Sequence, residues 1–154
     1  MLPNPLHPAV VHFPIVLAFL LPLFVGAGLW QIRRGTIVRR AWLLPTAAAA
    51  ALAASAWLSV QTGDAQGERV ERVVGEAPLD THEDLAELVL SASVAMTLVA
   101  ATGFVTGITG RAARVLTAVG SLALVGLVTR VGHTGGQLVY QHGAASVYTT
   151  AGGQ

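Results

Sequence analysis

Four long apolar stretches divide the chain, and shorter polar segments separate them. The first covers residues 9–30 (AVVHFPIVLAFLLPLFVGAGLW), the second residues 41–60 (AWLLPTAAAAALAASAWLSV), the third about residues 85–108 and the fourth about residues 115–131. A helix needs roughly 20 apolar residues to cross the hydrocarbon core of a bilayer. Because the stretches are long and do not alternate, helices are the only spanning structure that fits them. The pattern predicts an all-α fold: an integral membrane bundle of four transmembrane helices in a single domain, residues 1–154.

The composition supports a lipid environment. Hydrophobic residues make up 53% of the chain, charged residues only 11%, and the mean hydropathy is +0.63. A soluble domain usually carries about 25% charged residues. The chain has no cysteine, which excludes disulfides, thiolate metal sites, iron–sulfur clusters and c-type haem attachment within it. The net charge of +1 gives no support to nucleic-acid binding.

Arginines predict the orientation of this bundle. Residues 33–40 (RRGTIVRR) join the first two spans and hold four arginines, and residues 110–114 (GRAAR) join the last two spans and hold two more. Both segments fall on the same side of a four-span bundle, and the positive-inside rule places that side in the cytoplasm. We therefore expect both termini and an outer loop of residues 61–81 to be extracytoplasmic. Trp30 and Trp42 flank the first arginine segment as interface anchors would.

All five histidines fall toward the predicted outer surface. His7 and His12 begin the first span, His82 precedes the third, His133 ends the fourth, and His142 lies in the tail that follows. Three different helices thus contribute histidines near one surface, which is how cofactor sites in helix bundles are built. An ionisable residue within a membrane span is a candidate for function, although each of these side chains could instead be a solvated surface residue.

Two charged residues within the predicted fourth and third spans, Arg130 and Glu87, are further candidates for the site. Arg130 lies three residues before His133, on nearly the same helix face. Its guanidinium could reach the membrane surface, pair with Glu87, or bind the propionates of a haem. Glu87 could orient a histidine through a hydrogen bond or simply pair with Arg130.

Two terminal motifs and one isolated histidine carry a family resemblance. HPAVVHFP at residues 7–14, the lone His82 before the third span, and GHTGGQLVYQHG at residues 132–143 resemble the bacterial membrane family catalogued as domain of unknown function 2231. The resemblance implies a multi-pass protein of the bacterial cytoplasmic membrane with a role in redox chemistry. It also implies that His7, His12, His82, His133 and His142 correspond to recurrent histidines of the family.

A chain with several histidines and no cysteine can hold a b-type haem, in which two imidazoles from facing helices bind the iron. His12 and His133 are the preferred ligands and His82 a close competitor, while His7 and His142 could serve a second haem, with Arg130 on the propionates. With both axial positions filled, the iron would carry electrons rather than activate oxygen. The prediction is electron transfer at the extracytoplasmic face, with membrane lipid, quinone and an extracytoplasmic redox protein as partners.

Two alternatives remain open from the residues alone. His12, His82 and His133, with Glu83, Asp84 or Glu87, would suit a zinc or copper site for metal handling. A structural subunit of a larger membrane complex would use the same histidines for packing. The sequence leaves open whether the chain is an enzyme or an electron-transfer subunit without its own substrate chemistry, and it does not determine the oligomeric state.

Overall fold

The computed structural model describes residues 6–149, which form four long helices and two short ones. The helices are α1 (His7–Val10), α2 (His12–Arg33), α3 (Val38–Val74), α4 (Glu76–Thr102), α5 (Gly107–Tyr140) and α6 (Ser146–Thr149). One residue separates α1 from α2, and the two form one apolar run, His7–Arg33. Four helices are thus long and apolar enough to cross a membrane, which confirms the predicted all-α bundle. Both chain termini lie outside the described residues.

The four long helices pack in a ring, with α2 against α3, α3 against α4, α4 against α5 and α5 against α2. Successive helices run in opposite directions because short links join them. One end of the bundle, here called the histidine end, holds the start of α2, the end of α3, the start of α4 and the end of α5. The opposite end, called the arginine end, holds the two links at residues 34–37 and 103–106.

The interior of the bundle is small and closely packed, and the exterior is apolar. Leu21, Leu52 and Leu124 are at most 1% exposed, whereas Leu98 and Leu122 are 66% and 64% exposed. Large apolar side chains on the outer surface would be unfavourable in water, so these faces contact membrane lipid.

The predicted outer loop of residues 61–81 is wrong, because those residues are almost entirely helical. Helix α3 has 37 residues and therefore extends about 55 Å, well beyond the roughly 30 Å hydrocarbon core. Gly75 is the single residue between α3 and α4. Its φ of 83° is a backbone conformation that favours glycine. Val74 and Leu79 pack on Leu138 in a second small core. This contact buries an apolar face of the last turns of α3, which stabilises the helix beyond the hydrocarbon core.

The second arginine segment also differs from its prediction. The third span ends at Thr102 rather than near residue 108, and residues 110–114 belong to the first turns of α5. Arg114 is buried and donates hydrogen bonds to the carbonyl oxygens of Gly103 and Val105. These carbonyls follow the last turn of α4, where no helical N–H remains to satisfy them. Arg114 therefore fastens the end of α4 and is not a surface charge.

The prediction that Trp42 anchors the chain at the membrane interface is wrong. Trp42 is 0% exposed, and its Nε1–H donates to the carbonyl oxygen of Ala100 at 2.8 Å. A Cβ atom at Gly103 would overlap its indole, so glycine there lets α4 approach closely. Trp30, by contrast, lies on the exterior of the bundle and is 57% exposed. The guanidinium of Arg34 lies 4.7 Å from its ring centroid.

Candidate functional site

His7 in α1 is held by one turn of α3. Its Nδ1 atom lies 2.9 Å from the carbonyl oxygen of Ser59 and 3.3 Å from the hydroxyl of Thr62. The imidazole rests against Gly63, where an added Cβ would come within 3.2 Å of the ring Cε1 atom. The absence of a side chain at Gly63 thus makes room for the ring between the two helices.

His82 in the second turn of α4 is held in the same way by α5. Its Nδ1 atom lies 2.9 Å from the hydroxyl of Thr134. The ring rests against Gly135, where an added Cβ would come within 3.1 Å of Cε1. In both cases a Thr-Gly dipeptide on the neighbouring helix supplies the hydroxyl that meets Nδ1 and the glycine that accommodates the ring.

The hydrogen bonds assign the tautomer of each imidazole. A carbonyl oxygen only accepts, so Nδ1 of His7 carries the proton that it donates to Ser59. The hydroxyl of Thr134 donates to the carbonyl oxygen of Val131 at 3.0 Å, and its oxygen is left to accept from Nδ1–H of His82. Each Nε2 atom therefore presents a lone pair.

Neither Nε2 atom has a hydrogen-bond partner in the part of the chain that the structure describes. Among those residues, each Nε2 lone pair is therefore left for a ligand. An imidazole with Nδ1–H fixed by an oxygen and Nε2 free is the arrangement found in histidine metal ligands.

His7 and His82 lie at the same end of the bundle, although 75 positions separate them in the sequence. Both are half-buried, and a positive charge on His7 would act on His82. We refer to them as the histidine pair. They stand on α1 and α4 and are held by α3 and α5, so each of the four apolar runs contributes to positioning the two rings.

Several carboxylates lie at the same end of the bundle as the histidine pair. A negative charge on Asp64 would act on His7 and on Glu83, and charges on Asp80 and Glu71 would also act on Glu83. Glu83 is half-buried, and its Oε1 atom would be 3.4 Å from a Cβ added at Gly67. Within residues 6–149, no group of three histidine or acidic side chains converges closely enough to hold a metal ion.

The structure does not bring the other predicted site residues into the histidine pair. The side chains of His12, His133, His142 and Arg130 are all exposed. His12 follows His7 by little more than one turn, and His133 directly precedes Thr134. Their assignment as haem or metal ligands stays a prediction. Arg130 makes no hydrogen bond or ion pair with Glu87 in the described part of the chain.

The sequence pattern did not indicate the residues that position the two rings: Ser59, Thr62, Gly63 and Thr134. The shared signal is the Thr-Gly dipeptide at 62–63 and 134–135. The same dipeptide also occurs at 102–103, 106–107 and 109–110 near the arginine end. The pattern becomes informative only when the fold shows which dipeptides face a histidine.

The short helix α6 closes part of the histidine end. The hydroxyl of Tyr148 donates to Oε1 of Gln66 in α3. Burial raises the pKa of the Tyr148 phenol, and the nearby Arg69 partly opposes that shift. The phenol therefore stays protonated at neutral pH and remains a hydrogen-bond donor that ties the C-terminal segment to α3.

Comparison with known proteins identifies the family but no relative of established function. A family model described as a predicted membrane protein, DUF2231, matches residues 3–147. No curated protein and no solved structure is similar to the chain.

Proposed function

The chain belongs to the DUF2231 family of predicted membrane proteins, and we propose that it carries electrons through a b-type haem held by the histidine pair. His7 and His82 would be the two axial ligands, each binding through Nε2. The observation that carries this proposal is the pair itself: two half-buried imidazoles on different helices at one end of the bundle, each with Nδ1–H fixed by an oxygen and no partner for Nε2 among the described residues.

The number of protein ligands favours haem over a bare metal ion. A haem iron needs only two axial ligands from the protein because the porphyrin supplies the other four. Zinc sites use three or four protein ligands, and histidine copper sites commonly use three. The histidine pair supplies two, and no third histidine or carboxylate joins it within residues 6–149.

A nearby cation suits a group that carries carboxylates, as haem does. Gly63 and Gly135 make room for the two imidazoles against α3 and α5. The exposed Arg130 lies one turn before Thr134 on α5, and its guanidinium would pair with a propionate. When bound, haem supplies a one-electron couple. The chain's own contribution is to fix two rings by Ser59 and Thr134, which limits their rearrangement when the charge on the iron changes.

A visible absorption spectrum tests this function directly. The full chain, expressed with ample haem precursor and purified in mild detergent, is expected to show a sharp Soret band and split visible bands on reduction. These features report a low-spin, six-coordinate iron. A colourless protein with stoichiometric zinc or copper would contradict the proposal in favour of a metal site. A protein that takes up neither would indicate a structural subunit.

The proposal places the histidine pair on the extracytoplasmic side of the bacterial cytoplasmic membrane. With Arg114 buried, the arginine end still presents five exposed arginines, against three at the histidine end. The five are Arg33, Arg34, Arg39, Arg40 and Arg111. By the positive-inside rule this end faces the cytoplasm, so an extracytoplasmic redox protein would meet the histidine end.

Reporter fusions check this orientation. We expect alkaline phosphatase fused after Gln154 to be active, because that enzyme folds only outside the cytoplasm, and a green fluorescent protein fused at the same position to stay dark when exported unfolded. The matched control inserts the same reporters at Gly35 in the arginine-end link. The opposite pair of signals would reverse the orientation and move the site to the cytoplasmic side.

A further inference from the structure

A cavity of about 310 Å³ opens between α4 and α5 at the histidine end. Four polar side chains line it: Thr81, Thr134, Gln137 and His142. The rest of its wall is apolar, from Ala77, Pro78 and Leu138. Ligand sites typically combine apolar walls with a few polar groups that orient the ligand.

A second cavity of about 320 Å³ lies farther along the same two helices, within the membrane span. Its wall is almost entirely apolar. The side chains include Ala92, Ala95 and Val99 from α4 and Gly120, Ala123 and Leu127 from α5. Small residues on both helices leave this groove open toward lipid.

The two cavities share one face of the α4–α5 contact. On α4, Thr81 is followed at 11 and 18 positions by Ala92 and Val99, and these spacings are close to three and five full turns. On α5, Leu127 and Thr134 are seven positions apart, close to two turns, or about 10 Å along the axis. A polar cavity at the membrane surface and an apolar groove below it are therefore aligned along one track.

We propose that this track binds a membrane quinone, with the ring in the outer cavity and the isoprenoid tail in the apolar groove. The amide of Gln137 and the imidazole of His142 can donate hydrogen bonds to quinone carbonyl oxygens. The hydroxyls of Thr81 and Thr134 already donate to the carbonyls of Ala77 and Val131. The Thr81 oxygen, and the second lone pair of the Thr134 oxygen beside the one that accepts from His82, are left to accept from the hydroxyl groups of the reduced quinol.

The charges around the outer cavity favour a neutral ring over a phospholipid head group. No arginine lines the cavity itself, and the one arginine near it along α5, Arg130, lies a turn away from Thr134. Asp80 and Glu83 flank the wall on α4 in sequence and would repel a phosphate placed there. A quinone head group carries no charge in either its oxidised or its reduced form.

This inference rests on the proposed function for the direction of electron flow. Thr134 connects the cavity with the histidine pair. The same hydroxyl that lines the cavity accepts the hydrogen bond from Nδ1 of His82. A quinol that becomes a quinone releases two electrons and two protons. The electrons would pass singly to the haem of the proposed function, the first leaving for an external acceptor before the second arrives. The protons would pass to the outer solvent, one by way of His142 at the cavity wall.

Equilibrium binding of a quinone with a ten-carbon alkyl tail tests the site without any redox reaction. The full chain would be titrated in lipid nanodiscs and the bound probe measured directly. Gln137→Leu removes the amide donor, and Ala123→Phe fills the apolar groove. Each is expected to raise the dissociation constant of the probe by about tenfold or more, the effect of roughly one lost hydrogen bond or contact.

Matched controls carry the same substitutions elsewhere. Gln61→Leu lies on an exposed position of α3, and Ala27→Phe on an exposed position of α2; both should change the dissociation constant less than twofold. Probe binding that is absent, or insensitive to both test variants, would overturn the quinone site even if the haem spectrum is present. Phospholipid that competes with the probe and depends on Ala123 but not Gln137 would identify lipid as the occupant. Probe binding that persists in a chain without a haem spectrum would instead show that the proposed function, not the cavity, had failed.

Discussion

Replacing either member of the histidine pair with alanine is expected to abolish the low-spin haem spectrum. His7→Ala and His82→Ala each remove one axial ligand, which leaves a five-coordinate iron or releases the haem altogether. The alternative ligands from the sequence, His12 and His133, are exposed and separate from the pair, so His12→Ala and His133→Ala should keep the spectrum. Absorption of the oxidised and reduced protein, normalised to haem content, measures the difference.

A fifth variant separates ligand loss from misfolding. Thr134→Val keeps the volume of the side chain but removes the oxygen that accepts from Nδ1–H of His82. Loss of such a supporting hydrogen bond typically weakens metal binding by about 10–100-fold, so the haem should remain at high haem concentration and dissociate on dilution. The opposite result would contradict this assignment. If His12→Ala and His133→Ala lose the spectrum while the variants of His7 and His82 retain it, His12 and His133 hold the haem.

Replacing Trp42 with alanine is expected to lower the free energy of unfolding by about 3–5 kcal/mol, the usual cost of truncating a buried aromatic side chain. Its indole is fully buried at the arginine end, packs against Gly103, and donates to the carbonyl oxygen of Ala100. The cavity left behind would open the contact between α3 and α4. Loss of helicity in a denaturant titration in mixed micelles measures this change.

Trp30 provides the matched control for that experiment. It carries the same side chain at the same end of the bundle but is 57% exposed, so Trp30→Ala should cost about 1 kcal/mol or less. Trp42→Phe, which keeps most of the volume and removes the Nε1–H donor, is expected to fall between the two. Equal losses from Trp30→Ala and Trp42→Ala would contradict the role assigned to Trp42 in closing the arginine end.

Hydropathy along the chain predicted the membrane-spanning helices but not the structure of the segments that join them. Apolar length alone predicted four spanning helices, because a lipid environment requires every backbone group to be paired within the segment. The same criterion failed at residues 61–81, where polar residues indicated a loop. Helix α3 continues there because Val74 packs on Leu79 and Leu138, a contact between helices that hydropathy along one segment cannot register.

For the histidines, too, the sequence predicted their end of the bundle but not the contacts of their side chains. Connectivity placed all five at one end of the bundle, because an even number of crossings returns the chain to the same side. Depth along a helix did not indicate which imidazoles a neighbouring helix would hold. His12 and His133 were preferred for their position in apolar segments, yet rotation about the helix axis turns both outward.

By itself, the sequence determined the helical class, the number of spans, the family and the end of the bundle that carries the histidines. These properties follow from apolar length, residue order and short motifs, all of which are local. Only the tertiary structure decided that His7 and His82 are the half-buried histidines, that Thr-Gly dipeptides at Thr62 and Thr134 hold the two rings, and that Trp42 is buried. Each of those outcomes depends on the rotation and register of one helix against another, which are set by packing between segments distant in the sequence.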